Sequence, residues 1–301
     1  ATPKCVERPV AREMGFDGRP RDRYSTLMEK CKNQSAKCKI KEVIPASRDS
    51  TILIFNLLCL IFLMAGCSPT RETPAQGRKD AQSKKVLIVT GIDYPGHKWK
   101  LTAPVLAEAI AADKRLQVTV TEEPNDLASD KLGGYAVIVL HFMNWEAPDP
   151  GPTARANLKA VVRSGKGLVL VHFACGAFQD WPQFVELAGR VWDPKLRGHD
   201  PHGAFSVKII DATHPAMKGM KDFETTDELY TCLAGETPIK ELTTARSKVD
   251  NKDYPIAFVL NYGKGRVFHS VLGHDVQALA NPDVGRLFRN ACAWSAGLEP
   301  L

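Results

Sequence analysis

From Lys85 onward the chain keeps returning to short charge-free runs of valine, isoleucine and leucine that stop at a glycine or histidine and give way to helix-spaced segments. Residues 86–90 (VLIVT) precede Gly91, residues 135–142 (YAVIVLHF) close on His141-Phe142, and residues 167–173 (GLVLVHF) close on His172-Phe173. A strand that is apolar at every position is buried on both faces, which in practice means a parallel sheet covered by helices on each side. Residues 104–112 and 153–164 carry the helical spacing such crossovers need, while 116–121 alternate. The second half is richer in strand signals, at 205–210, 228–233, 239–245, 256–261 and 266–272, before a closing helix over 284–296. The pattern predicts one α/β domain over residues 85–301. Ligand sites in open parallel sheets collect at the carboxyl ends of the strands. Here those ends are residues 91–97, 141–145 and 172–176, and each lies within a few residues of a histidine.

Upstream of this domain the sequence reads differently. Residues 51–66, TILIFNLLCLIFLMAG, carry no charge and follow Lys39, Lys41 and Arg48. A membrane-spanning helix takes about 20 apolar residues and a signal-peptide core about 7–15, so this run fits a secretory signal better than a permanent span. It ends in Leu63-Met64-Ala65-Gly66-Cys67, which resembles the lipobox of bacterial lipoproteins and would make Cys67 the lipidated residue. Residues 68–84 are polar, without apolar periodicity, and read as a flexible tether. The expectation is an exported protein held by lipid at the bacterial cell envelope, with its body beside the membrane. Residues 1–49 carry no readable motif and fit a leader upstream of the true start.

The formal charge of +6 sharpens this division. Of 40 basic and 34 acidic residues, 12 and 7 lie in residues 1–49, leaving 28 and 27 in the rest. The body is nearly neutral, so a phosphate-binding groove and a nucleic-acid partner are not expected. Five of the eight cysteines precede residue 68, and Cys175, Cys232 and Cys292 remain, an odd number that rules out a fully paired framework within the body.

All eight histidines fall at or after His97. His172 ends a buried-type strand, where an imidazole meets the ligand edge and suits proton transfer or metal binding. Cys175-Gly176 follows on what reads as a tight strand-to-helix turn, giving Cys175 the place of an alternative nucleophile. Asp227-Glu228-Leu229-Tyr230 puts two carboxylates before a predicted strand, where alternation sends Glu228 and Tyr230 to one face. His199 and His202 flank a Pro turn, His269 and His274 bracket the end of an apolar strand, and His214-Pro215 looks like a turn element. No H-E-x-x-H motif, cysteine pair or compact histidine cluster is present, so a divalent metal would have to be gathered from distant segments. The five tryptophans read as packing residues, although Trp145, near a strand end, is placed to stack on a ligand.

The order of these elements is more informative than any one of them. KVLIVTG at 85–91, GHKW at 96–99, GKGLVLVH at 165–172, GHDP at 198–201, HPAMKGM at 214–220, DELY at 227–230, GKGRVF at 263–268, LGH at 272–274 and NACAWSAG at 290–297 together resemble the ThuA-like (trehalose utilisation) family across residues 85–297. The resemblance implies a flavodoxin-like fold of the class I glutamine amidotransferase type. It implies a pocket lined by His97, His172, His199, Asp227, Glu228, Tyr230 and His274, and a carbohydrate substrate, trehalose or a related, oxidised disaccharide. On that basis His172 and Glu228 are expected as catalytic acid and base, with His97, His199, Asp227, Tyr230 and His274 binding substrate. A divalent metal at His199 and His274 is the cofactor considered. The reaction would be that of a hydrolase, lyase or isomerase. Two rivals stand beside it: a Cys175-dependent hydrolase or amidotransferase relative, and a non-catalytic sugar-binding lipoprotein. Cys175 itself departs from the family, which commonly has a small or hydroxyl residue there.

Overall fold

The computed structural model describes residues 83–301. The leader 1–49, the signal-like run, Cys67 and all but the end of the tether lie outside the described residues. The tether expected over 68–84 ends slightly early, because Lys84 already opens the first strand.

Among the described residues nine strands form one sheet, in the order β2-β1-β3-β4-β9-β8-β7-β5-β6. The apolar runs become β1 (Lys84–Val89), β3 (Val137–Leu140) and β4 (Gly167–Val171), joined by β2 (Leu116–Thr121) and β9 (Gly265–Ser270) in parallel pairing. The other side is antiparallel, from β9 through β8 (Asp253–Tyr262), β7 (Lys240–Arg246) and β5 (Gly203–Ile209) to β6 (Phe223–Asp227). This is the expected α/β architecture with a strand-rich second half. Alternation within β1 divides the core: Val86 and Ile88 pack with Leu106, Ile110 and Leu287 on one face, and Leu87 and Val89 with Ala154, Leu158 and Val162 on the other. Those partners come from α1 (Trp99–Ala111) and α5 (Pro282–Ser295) on the first face and α2 (Gly151–Arg163) on the second, so both faces are covered. Two short helices, α3 (Phe184–Ala188) and α4 (Val276–Leu279), complete the domain. Among the described residues no helix is long and apolar enough to cross a membrane.

Two local expectations are corrected. The first helix begins at Trp99, five residues before Pro104, which therefore sits inside it. A proline is at home in the first turn of a helix, but the start here is held from outside by the Asp93 carboxylate, which accepts the Trp99 amide at 3.2 Å. The strand expected at 228–233 is absent, and its place is taken by β6, which ends at Asp227. Beyond it, only isolated bridges remain, Tyr230 to His199 and Ala234 to Val191. Alternating D-E-L-Y mimics strand periodicity, while the segment is in fact a strap held by two isolated bridges to residues 191 and 199.

Candidate functional site

The site is built on the turn that follows β4. His172 starts this turn with φ of 47°, a backbone setting rare for a residue with a side chain, and its imidazole is fully buried. Its Nδ1 lies 2.6 Å from the Val271 carbonyl oxygen. A carbonyl only accepts, so Nδ1 carries the proton and Nε2 turns its lone pair toward the site. The Tyr230 hydroxyl donates to that nitrogen at 3.0 Å.

Three segments remote in sequence converge on the same point. His97, in the loop after β1, places Nε2 at 3.1 Å from His172 Nε2. His274, just past β9, places Nδ1 at 3.2 Å from His97 Nε2 and 3.3 Å from His172 Nε2. Glu228, just past β6, brings Oε2 to 3.2 Å from His274 Nδ1 and 3.6 Å from His172 Nε2. All four ligand atoms lie within 4.8 Å of one another.

Asp227 holds this assembly together. Its carboxylate is buried and accepts three backbone N–H groups, from Gly273 at 2.7 Å, Glu228 at 2.8 Å and His274 at 3.2 Å. One side chain thus ties the strap carrying Glu228 to the turn carrying His274. Gly273 makes that turn with φ of 115°, where a side chain would be strained. Asp227 was expected to bind substrate; in the structure its oxygens are committed to the backbone and it has no exposed surface.

The electrostatics follow from crowding. Burial, with the neighbouring His172 and His274 rings, drives the His97 imidazole down to about 2, so it is neutral at ordinary pH. Burial pushes Glu228 upward, but the imidazoles packed around it, His172, His274 and His199, outweigh this and hold the carboxyl well below its usual range. Burial likewise pulls His274 down, and the Glu228 carboxylate more than offsets this, leaving the ring above its ordinary value. Burial raises Asp227, opposed by His172 and the three amides.

These residues could hold a divalent metal. Four ligand atoms at 2.0–2.1 Å from a tetrahedral ion stand roughly 3.4 Å apart; the contacts among the three histidines and from Glu228 to His172 and His274, 3.1–3.6 Å, match that spacing, while His97 and Glu228 stand wider apart, within 4.8 Å. A lone pair from His172 and a carboxylate facing one another need a cation or shared protons between them. The Val271 carbonyl fixes the His172 ring in the way metal-bound imidazoles are usually fixed. His97 departs from this, its Nδ1 being buried without a hydrogen-bond partner among the described residues.

His199 lies on the open side, its Nδ1 3.8 Å from Glu228 Oε1 and 2.7 Å from the Asp200 carbonyl oxygen. Its loop is anchored by the buried Asp200 carboxylate, which accepts Arg197 at 2.7 Å, Ser247 at 2.9 Å and the Lys248 amide at 2.8 Å. His202 pairs with Asp275 at 3.3 Å on the rim. His269 is buried away from the cluster against the Ala188 carbonyl, and His214 accepts the Ala216 amide at a turn.

Cys175 does not have the placement of a nucleophile. It is 1% exposed in the core, and burial pushes its thiol far above the ordinary value, so almost no thiolate forms at neutral pH. The strained residue of the elbow is His172, three places earlier. The residue that sequence reading missed is Trp192, which pairs with the Trp145 already noted near a strand end. Trp145 and Trp192 stand 5.8 Å apart, with Trp192 5.2 Å from Tyr230 and 6.1 Å from His199. Trp192 lies in an aperiodic loop, so no local signal pointed to it.

Residues 85–295 match the family described as ThuA, trehalose utilisation. Among solved structures, a ThuA-like protein from Parabacteroides merdae is similar at TM-score 0.63 and 23% identity, over 73% of this chain and 92% of that one. Another ThuA-like protein, from Bacteroides uniformis, is similar at TM-score 0.60 and 19% identity, over 76% and 98%. A cytoplasmic protein from Salmonella typhimurium shares the fold at TM-score 0.52 and 12% identity, over 70% and 99%. No curated protein matches the chain.

Proposed function

The chain belongs to the ThuA (trehalose utilisation) family, and from that premise we propose that it is a carbohydrate-processing enzyme with a divalent-metal site formed by His97, His172, His274 and Glu228. The observation that carries the reading is the convergence of these four ligand atoms within 4.8 Å at the carboxyl end of the parallel strands. A metal held there by these four groups would act as a Lewis acid by taking a substrate oxygen as a further ligand. The acid–base work falls to Glu228 and His199. The Oε2 atom of Glu228 faces the cluster while Oε1 faces His199. The His199 Nδ1 proton is committed to the Asp200 carbonyl, so Nε2 is the atom left to take a proton from a sugar hydroxyl or an acidified C–H. His172, expected as the catalytic acid or base, is fully buried with its Nδ1 proton on the Val271 carbonyl and its Nε2 turned to the cluster, which supports a ligand role instead.

Metal-loaded protein is expected to turn over trehalose or a keto derivative of it, and His199→Asn to lower kcat by about 100-fold or more while keeping the fold. Absence of turnover across disaccharides and their keto forms, with metal bound, would sink the enzyme reading. A lipid tether completes the proposal: labelled palmitate is expected on the native chain in a bacterial host and to disappear in Cys67→Ala. Label that persists in that variant would remove Cys67 as the anchor.

A further inference from the structure

Resting on the carbohydrate reading above, we propose that Trp145 and Trp192 form a second sugar subsite beside the centre, taking the ring of a disaccharide that is not being transformed. Both tryptophans are half-buried and both hang from the turn that His172 begins. The Trp145 indole N–H donates to the Gly176 carbonyl at 2.8 Å, and the Trp192 amide donates to the Cys175 carbonyl at 3.0 Å. The Trp192 ring is also seated against Gly198, where an added Cβ would come within 1.8 Å of it. Only glycine permits this approach, and Gly198 immediately precedes His199. The two indoles are therefore fixed relative to both the buried ligand and the open-side base before any substrate arrives.

Their chemistry selects the occupant. The polar atom of Trp145 is satisfied internally, so what it offers is aromatic surface, tilted by 55° to its neighbour. The C–H face of a pyranose is the part of a sugar that gains from such a surface, while its hydroxyls remain free to bond elsewhere. Trp192 contacts both Tyr230 and His199, so a ring stacked on it adjoins the centre, as the second ring of a disaccharide must.

The test is titration of the metal-loaded full chain with trehalose and with glucose, followed by tryptophan fluorescence and calorimetry. Trp192→Leu keeps apolar volume under Gly198 and loses the aromatic face; Trp145→Ala is the second variant, and Trp192→Phe the conservative one. Trehalose affinity is expected to fall about 10-fold or more in the first two, glucose affinity to change less than about 2-fold, since one ring fills the centre alone, and Trp192→Phe to recover most of the loss. If native protein binds trehalose and both disruptive variants bind it equally well, the subsite is overturned and the enzyme reading stands. If native protein binds neither sugar, the subsite falls, while the enzyme reading is decided separately by the turnover screen over disaccharides and their keto forms.

Discussion

Asp227→Ala is expected to destabilise the domain by about 3–5 kcal/mol, because three backbone N–H groups, one buried and two partly buried, lose one charged acceptor at once. For a domain of this size that lowers Tm by about 10 °C. The loss is not confined to folding energy. The same carboxylate joins Glu228 to Gly273 and His274, so the variant is also expected to lose affinity for metal while all four ligand side chains remain present. Asp227→Asn keeps one oxygen but turns an NH2 group toward a backbone donor, and should fall between alanine and the native residue. Thermal denaturation with and without added Zn²⁺ separates the two effects. An alanine variant as stable as the native protein would show that the carboxylate costs as much to bury as its bonds return.

Removing a ligand should separate the centre from its scaffold. His97→Ala and Glu228→Gln are expected to bind Zn²⁺ at least about 100-fold more weakly, a loss exceeding that seen for residues one shell further out. Native protein saturated at about 1,000 times Kd gains about 4 kcal/mol from the ion. That gain should vanish on chelation and be small in either variant. Without metal, His97→Ala removes one crowded neutral imidazole whose Nδ1 has no partner among the described residues, so the apo variant should be close to apo native protein in stability. Elemental analysis of purified protein together with melting curves decides the matter. Full metal occupancy in both variants would dismiss the site; occupancy lost only in His97→Ala would remove Glu228 from the ligand set and leave it as an acid–base group.

The two experiments probe different layers of the same site, and those layers were not equally visible before folding. His97, His172, His199, Glu228, Tyr230 and His274 were all singled out because each stands by a predicted strand end, a glycine turn or the DELY segment, and the structure gathers them there. Their roles were less legible. D-E-L-Y alternates like a strand, so the strap was misread, and Asp227 looked like a substrate contact because nothing local tells that its partners lie at residues 273 and 274. Cys175 looked like the elbow because a thiol draws attention, whereas the backbone places the strain at His172. Trp192 was hidden altogether, having neither periodicity nor a motif around it.

What the sequence determined by itself is the layered α/β body and the edge at which chemistry gathers. Runs such as VLIV in β1 and LVLV in β4 must be buried on both faces, and that requirement is local, set by water and side chains within a few residues. The tertiary structure alone decided which nitrogen meets which oxygen. His97 and His274 approach to 3.2 Å across 177 residues only because parallel register, the turn at Gly273 and the buried Asp227 carboxylate fix where each loop ends. Distances of that kind are summed over the whole crossover path, and no short stretch of sequence contains them.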